Sequence, residues 1–203
     1  MIRAEHDHIS FTCTDPCAGL DFDFETVLLG RRVKLDHYVH VLPDVSALMH
    51  ETERLVQRGG LVAEEPHLFP DDVCPEQPVD SGWRKHMATV AAEQGLIVLA
   101  APASECDQLT EHLKAHGTDV PHHIAVSVAD IDASMAAWAA AGWQAGRLAA
   151  DEDLAQMFLT DRYGQIVELI SRNDPDSAMT FTCPNIARLS ATEDELRPEG
   201  RRS

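Results

Sequence analysis

Two histidines occupy equivalent positions in two similar segments of this 203-residue sequence. His37 lies in the segment 35–45 and His123 in the segment 121–131, and each segment is a short β-rich run followed by an aspartate that can cap a helix. Glu168 lies in a later strand-like run of the second half. If the two halves pack about a pseudo-twofold axis, the histidines face each other across it and Glu168 joins them from a neighbouring strand. The three side chains therefore predict a metal site.

The number and type of these ligands indicate which metal chemistry to expect. Two histidines and one carboxylate on one side of a cation leave coordination positions open, which is typical of non-haem Fe(II) that binds both substrate and dioxygen. The duplication would place Val98 or Leu99 opposite Glu168, and neither side chain can coordinate a metal. This favours an open oxygenase site with Fe(II) over a closed four-ligand isomerase site. An isomerase would instead use another divalent metal, such as Ni, Co, Mn or Zn.

The elements that must hold these residues form a repeated unit. Each β-rich run is followed by an amphipathic helix that ends at glycine, and then by two further strand-like runs. The helices are expected at 46–58 and 132–141, and the runs at 85–90, 96–100, 155–160 and 165–170. We interpret this pattern as an internal duplication. It predicts an α+β fold of two β-α-β-β-β modules, 35–103 and 119–172, paired about a pseudo-twofold axis.

The segments outside the two modules are assigned from their composition. Residues 1–34 are expected to be an N-terminal extension that adds strands, and 104–118 to contain a linking helix. The acidic, proline-rich stretch 64–82 inside the first module is predicted to be a long loop. Residues 173–203 form a C-terminal segment that is expected to be mobile from about residue 193.

Composition limits the partners and the location of the protein. Thirty-four acidic residues against 16 basic ones give a formal net charge of −18, which opposes binding to nucleic acid or to an anionic membrane. No apolar stretch reaches the roughly 18–20 residues of a membrane helix, and the absence of a hydrophobic N-terminal run predicts a cytoplasmic protein. Five scattered cysteines are expected to be reduced. The expected partners are a small-molecule substrate and dioxygen, and a homodimer is left open.

His86 is the remaining candidate for catalysis. It lies in a predicted strand that could face the same cavity as the metal ligands. A neutral imidazole can act as an acid or a base near pH 7. We therefore predict His86 as a catalytic residue, with a partly exposed packing role as the alternative.

Several motifs resemble the vicinal oxygen chelate superfamily, which includes glyoxalase I, methylmalonyl-CoA epimerase, extradiol dioxygenases and 4-hydroxyphenylpyruvate dioxygenase. The resemblance is strongest to the C-terminal catalytic half of the last enzyme. Residues 81–87 resemble its Ser-Gly-Leu-Arg-Ser strand, 120–125 its Gly-Val-Gln-His-Ile-Ala, 154–158 its Leu-Leu-Gln-Ile-Phe, and 167–172 its Phe-Glu-Ile-Ile-Gln-Arg. The resemblance covers about residues 35–172.

The resemblance implies roles for individual residues. It makes His37, His123 and Glu168 iron ligands, and it places Gln156 and His122 on the substrate side. The implied function is a dioxygenase that acts on a small 2-oxo acid or aromatic compound bound bidentately to the metal. Two alternatives stay open. One is a metal-dependent epimerase, isomerase or lyase that resembles methylmalonyl-CoA epimerase or glyoxalase I, and the other is a non-catalytic ligand-binding protein of the resistance type.

Overall fold

The computed structural model describes residues 2–5, 8–11, 24–76, 83–118, 120–150, 152, 154–173 and 183. The first strands in these ranges are β1 (Ile2–Glu5), β2 (His8–Phe11), β3 (Glu25–Leu28) and β4 (Arg31–Val41). They are followed by α1 (Val45–Gln57), β5 (Leu61–Phe69), β6 (Lys85–Ala91), β7 (Leu96–Pro102) and α2 (Gln108–His116). The second half contains β8 (His123–Ser127), α3 (Ile131–Ala140), β9 (Gln144–Ala145), β10 (Ala149–Ala150), β11 (Leu154–Thr160) and β12 (Ile166–Arg172).

One large mixed sheet runs through both halves. Its order is β10-β11-β12-β8-β4-β7-β6-β5, with β3 beside β4 and β9 beside β11. Strands β4 and β8 pair antiparallel at its centre. Outward from this pair, each half has first a parallel neighbour, β7 or β12, and then an antiparallel one, β6 or β11. The sheet and its helices confirm the predicted α+β class, and the repeated order relates the halves by a pseudo-twofold axis.

Aspartate side chains begin each of the three helices in the described ranges. Asp44, Asp107 and Asp130 each accept a hydrogen bond from the backbone N–H three residues further on, at 2.8–2.9 Å. This is the N-cap interaction, which satisfies a donor that the first helical turn leaves open. Asp44 and Asp130 follow β4 and β8 in the two halves, as the duplication predicted.

The sheet separates two apolar clusters, and alternate residues of β4 point to opposite sides. Tyr38 packs in the cluster that contains Leu48 of α1 and Trp138 of α3. Val39 and Val41 belong to the second cluster, which we call the inner face. From position 37 onward, the odd-numbered positions of β4 therefore turn away from the α1 and α3 side, and His37 shares the phase of Val39 and Val41.

The loop predicted for 64–82 was wrong in its first part, because β5 continues through it to Phe69. β5 lies at the edge of the sheet order, beside β6, and its register against β6 shifts twice before His67. Bulges and an edge position tolerate Pro66, which cannot donate a hydrogen bond to a ladder. Charged and proline-rich composition therefore concealed a strand. β5 is the strand that a β-α-β-β-β module requires directly after its helix.

The two ends of the chain are described only in part. β1, β2 and β3 lie in the extension for which strands were predicted. The tail predicted to be mobile from about 193 lies outside the described residues. None of the helices in the described ranges is long and apolar enough to cross a membrane.

The expectation that the cysteines are reduced was wrong for one pair. Cys74 and Cys183 form a disulfide between positions 109 residues apart. Cys74 is buried in the inner-face cluster, and Cys183 packs against the same cluster. Cys106 is free and exposed. A pairing between such distant residues depends on the tertiary fold, so the scattered spacing gave no signal for it.

The disulfide can be tested by peptide mapping and thermal unfolding. Digests of unreduced protein should contain a cross-linked pair of peptides with Cys74 and Cys183. Cys183→Ser should lower the melting temperature, because a cross-link over so long a loop typically contributes about 2–4 kcal/mol. Cys106→Ser is the matched control and should leave the melting temperature unchanged. Equal melting temperatures for all three proteins would contradict a stabilising cross-link.

Candidate metal centre

Three ligand-type side chains converge on the inner face of the sheet. His37 comes from β4, His123 from β8 and Glu168 from β12, three strands that lie next to one another. The Oε2 atom of Glu168 lies 3.4 Å from Nε2 of His37 and 3.5 Å from Nε2 of His123. All three side chains are buried, and their ligand atoms lie within 4.8 Å of one another. The structure therefore brings together the three residues that were predicted as metal ligands.

The charges around these residues favour a cation between them. Burial alone would raise the pKa of Glu168, but hydrogen bonds and positive charge from His123 and His37 lower it to about 2. Burial alone would lower the pKa of His37, but Asp36 and Glu168 raise it to about 9. The same two carboxylates that stabilise a proton on His37 would stabilise a divalent metal in its place.

Asp36 orients His37 from the side opposite the ligand atom. Nδ1 of His37 donates to Asp36 at 3.0 Å, and the hydroxyl of Ser127 donates to it at 3.1 Å. Arg172 donates through both terminal nitrogens, with Nη2 at 3.1 Å from the carboxylate. Burial would raise the pKa of Asp36, but His37 and Arg172 hold it well below its usual range. A carboxylate behind a metal-bound histidine fixes the ring and its tautomer.

The sequence did not reveal Asp36 because neighbours on a regular strand point to opposite faces. The register between β4 and β8 shifts between Leu35 and His37, so Asp36 sits in a bulge. A bulge re-aims side chains locally, which lets Asp36 reach the side of its neighbour His37. Arg172 and Ser127 lie at the ends of β12 and β8, so the network ties together all three ligand-bearing strands.

His123 is held by a second histidine. Its Nδ1 lies 2.8 Å from Nδ1 of His122. Burial, and then positive charge on His123, His112 and Lys85, lower the pKa of His122 well below its usual value. A neutral His122 can accept the hydrogen that Nδ1 of His123 must carry when its Nε2 binds a metal. His122 thus contacts His123, a candidate metal ligand, directly, and it also lines the cavity beside the site.

This donor set fits a divalent transition metal. Both Nε2 atoms face the carboxylate, whereas both Nδ1 atoms are engaged by Asp36 or His122. Imidazole nitrogen suits Zn, Cu, Fe and Ni, and two histidines with one carboxylate on one face leave room for further ligands. Three candidate ligands thus lie together with the groups that orient two of them.

A small, mainly apolar cavity adjoins the three ligands. The volume within which the centre of a water molecule can lie is about 40 Å³. Its apolar lining consists of Val39, Phe69, Trp83, Met87, Val98, Ala100, Leu109 and Phe158. Ligands held here would therefore be small and largely shielded from water.

Gln156 lies on β11 on the same side as Phe158, which lines the cavity. The residue is 1% exposed, and neither polar atom of its amide has a hydrogen-bond partner in the structure. A buried amide without partners costs about 1–3 kcal/mol. Its predicted contact with substrate remains a prediction, but the unsatisfied amide identifies Gln156 as a group with capacity to bind a ligand.

The structure does not bring His86 to the cavity. Lys85 and Met87, its neighbours on β6, line the cavity, so the half-buried His86 points to the other side of the strand. Its predicted catalytic role has no support in this placement. The sequence analysis placed the wrong set of alternate residues of 85–90 on the cavity side. It therefore did not identify Lys85 as a residue that lines the cavity.

Comparison with solved structures identifies the fold. A hypothetical protein from Bacillus halodurans C-125 is similar at 17% identity and a TM-score of 0.52, over 71% of this chain and 98% of that one. Methylmalonyl-CoA epimerase from Mycobacterium tuberculosis is similar at 20% identity and a TM-score of 0.50, over 73% and 92%. A mutant of 4-hydroxymandelate synthase from Streptomyces coelicolor is similar at 19% identity and a TM-score of 0.56, over 80% and 55%.

The chain has the vicinal oxygen chelate fold. No model of a protein family matches its sequence, and no curated protein does. At these identities the similarity establishes the architecture, and the chemistry must be argued from the residues of this chain.

The duplicated vicinal oxygen chelate fold assigns the position opposite Glu168. Glu168 lies beside Ala125, two residues after His123, and Val98 lies beside Val39, two residues after His37. Val98 is therefore the counterpart of Glu168, and it lines the cavity. Leu99, the other predicted position, belongs to the opposite apolar cluster.

Metal binding tests the centre and its supporting groups. His123→Ala and Glu168→Ala should abolish binding of Zn(II) or Co(II) in isothermal titration calorimetry. Asp36→Asn should weaken binding about 10–100-fold, because the carboxylate that orients His37 is lost. Ser127→Ala removes one hydrogen bond and leaves the Arg172 pair, so its effect should be smaller.

His50 on α1 provides the control, because its side chain is exposed. His50→Ala should bind metal as the wild type does. Full metal occupancy in both His123→Ala and Glu168→Ala would contradict this centre, and unchanged affinity in Asp36→Asn would contradict the orienting role of Asp36.

Proposed function

We propose that the chain is a metal-dependent dioxygenase with Fe(II) at His37, His123 and Glu168, acting on a small organic substrate that chelates the metal. The observation that carries this proposal is the position opposite Glu168. Val98 occupies it, so the protein contributes three ligands on one side and leaves the other side to small molecules. A bidentate substrate and dioxygen together need about three open coordination positions, which three ligands on one side of the metal leave free.

Iron would supply the redox chemistry that activates dioxygen beside a chelated substrate. The residues of the chain supply the rest. Asp36 and His122 hold the two imidazoles in one tautomer and orientation. Val98 and Phe158 shield the site from water, which protects reactive species from side reactions. Gln156 offers an amide that can orient a polar group of the substrate.

The substrate class rests on the cavity and on the resemblance to 4-hydroxyphenylpyruvate dioxygenase. We propose a 2-oxo acid or a small aromatic compound with two adjacent oxygen atoms. Both chelate a metal through neighbouring oxygens, and both are small enough for a confined site. Residues 101–103 resemble a Glu-Pro-Ala turn of that enzyme, in which Asn and Glu precede the Pro-Ala pair. Ala100 and Ala101 stand at these two polar positions here, so we expect a different substrate from hydroxyphenylpyruvate.

The proposal is tested with protein loaded anaerobically with Fe(II). Nitric oxide, an analogue of dioxygen, should bind and give an electron paramagnetic resonance signal that changes when a chelating ligand is added. Oxygen consumption should then appear with a member of a panel of 2-oxo acids and catechols. No nitric oxide binding and no oxygen uptake would overturn the proposal. Solvent-deuterium exchange next to a carbonyl with Zn(II), Co(II), Mn(II) or Ni(II) would point to an epimerase or isomerase, and ligand binding without turnover to a binding protein.

The open position gives a sharper prediction. Val98→Glu would place a fourth ligand opposite Glu168, and this should suppress oxygen consumption while tightening the binding of Zn(II) or Ni(II). Val98→Gln is the matched control of similar size without the carboxylate charge, and it should bind zinc less tightly than Val98→Glu. Oxygen uptake at the wild-type rate by Fe(II)-loaded Val98→Glu, in a variant that binds Zn(II) at this site in a separate measurement, would refute the argument that open coordination positions are required.

Gln156 distinguishes a ligand-binding amide from a structural one. Gln156→Met keeps the size of the side chain and removes an unsatisfied buried amide, so the melting temperature should stay the same or rise. Substrate affinity or turnover should fall about tenfold, the effect of one lost oriented hydrogen bond. Metal content should not change. A lower melting temperature with intact kinetics would show that Gln156 serves the core instead.

A further inference from the structure

Two further histidines are neighbours on helix α2, outside the three candidate ligands described above. His112 and His116 are four residues apart, and side chains at this spacing lie next to each other on a helix. Their ring centres are 5.0 Å apart. His116 is exposed to solvent, and His112 is half-buried. Two imidazoles at positions i and i+4 of a helix are a recurring way to bind a transition metal.

The ring of His112 is fixed in its position and tautomer. Its Nε2 donates a hydrogen bond to the carbonyl oxygen of Val120 at 2.9 Å, and the ring of His122 packs against it with 5.3 Å between ring centres. A neutral ring that donates through Nε2 keeps a lone pair on Nδ1. Burial lowers the pKa of His112 in spite of the hydrogen bond to Val120. At neutral pH, protons therefore compete little with a metal for this nitrogen.

The separation of the two rings matches a shared metal ion. Metal–nitrogen bonds of about 2.0–2.1 Å, at right or tetrahedral angles, hold two imidazole ring centres about 4.5–5.2 Å apart. The observed separation lies in this range. Lys114 adds a positive charge nearby, but it is paired with Glu111 at 3.1 Å. His116 is the last residue of α2, and the dipole of a helix favours a cation at its C-terminal end.

We propose that His112 and His116 form a second metal site, which binds a copper(II) ion with water in the remaining coordination positions. Copper(II) has the highest affinity of the divalent first-row ions for nitrogen ligands, and it accepts a square arrangement of nitrogen and oxygen atoms. Two imidazoles are too few to hold Zn(II) or Co(II) tightly, so these ions should bind measurably only at the three candidate ligands. The second site does not depend on the proposed function.

Equilibrium dialysis against Cu(II), with the bound copper counted by atomic absorption, tests this site. Cys106→Ser serves as the starting protein, because the exposed thiol of Cys106 would itself bind copper. Adding His116→Ala should remove one copper ion per chain. The electron paramagnetic resonance signal of the lost ion should show splitting by two nitrogen atoms. Because His116 is exposed, its replacement should leave the melting temperature unchanged.

Two controls separate this pair from other histidines of the chain. His50→Ala removes an exposed histidine of α1 and should leave the copper count unchanged. Lys114→His, added to His116→Ala, restores the number of histidines on α2. Residues two positions apart on a helix do not face each other, so this variant should not recover the lost ion. Equal copper counts with and without His116→Ala, or recovery of the ion with Lys114→His, would overturn the proposal.

The outcome is separate from that of the proposed function. In a Glu168→Ala background, which lacks one of the three candidate ligands, His116→Ala should still remove one copper ion. If this loss is found but Fe(II)-loaded protein neither binds nitric oxide nor consumes oxygen, the dioxygenase proposal fails and the second site stands. If oxygen uptake is found but His116→Ala leaves the copper count unchanged, the second site fails and the dioxygenase stands.

Discussion

The antiparallel pairing of β4 with β8 is the constraint on which the site depends. It joins the two halves of the sheet and places Val39 opposite His123 and His37 opposite Ala125. Because side chains alternate along a strand, this register puts both histidines on the inner face. A slip by one residue would turn one histidine to the helix side. β12 then pairs with β8 and adds Glu168 beside Ala125, so the three candidate metal ligands meet only when both halves are folded and paired.

The network around Asp36 reinforces that register with charge. Its carboxylate belongs to β4, whereas its partners Ser127 and Arg172 belong to the second half, so hydrogen bonds and an ion pair cross the junction between the halves. An ion pair this buried costs much of its Coulomb gain in desolvation. The ion pair contributes by fixing the position of the Asp36 carboxylate, which also orients His37. The carboxylate of Asp36 thus serves both the pairing of the two halves and the orientation of His37, a candidate metal ligand.

The sequence predicted the features that the two repeated modules share. It did not predict features that depend on local irregularities of a strand or on contacts between distant residues. His37, His123 and Glu168 were found because the duplication fixes their positions on strands. Asp36 was missed because a bulge breaks the alternation that a sequence reading assumes. Lys85 was missed and His86 chosen instead because a short run of mixed residues does not fix which phase faces inward.

Other misses have different physical origins. The partner of Cys74 lies 109 residues away, and only the folded chain brings the two together. Strand β5 was concealed because an edge position accepts proline and acidic residues that a central strand would exclude. In each case the tertiary environment, and not the local pattern, determined the structure.

The symmetry of the backbone is not matched by the side chains of the cavity, and this asymmetry gives the site a direction. Glu168 in the second half corresponds to Val98 in the first, and Gln156, which pairs with Ile170, corresponds to Met87, which pairs with Ala100. The second half thus contributes two candidate ligands and an amide, whereas the first contributes one candidate ligand, an apolar wall and the side chain of Lys85. A ligand that chelates a metal at these residues would place its chelating atoms toward β12 and the rest of its body toward β6. Two halves with one architecture can therefore hold a ligand that is itself asymmetric, because each has kept different side chains on the same inward-facing positions.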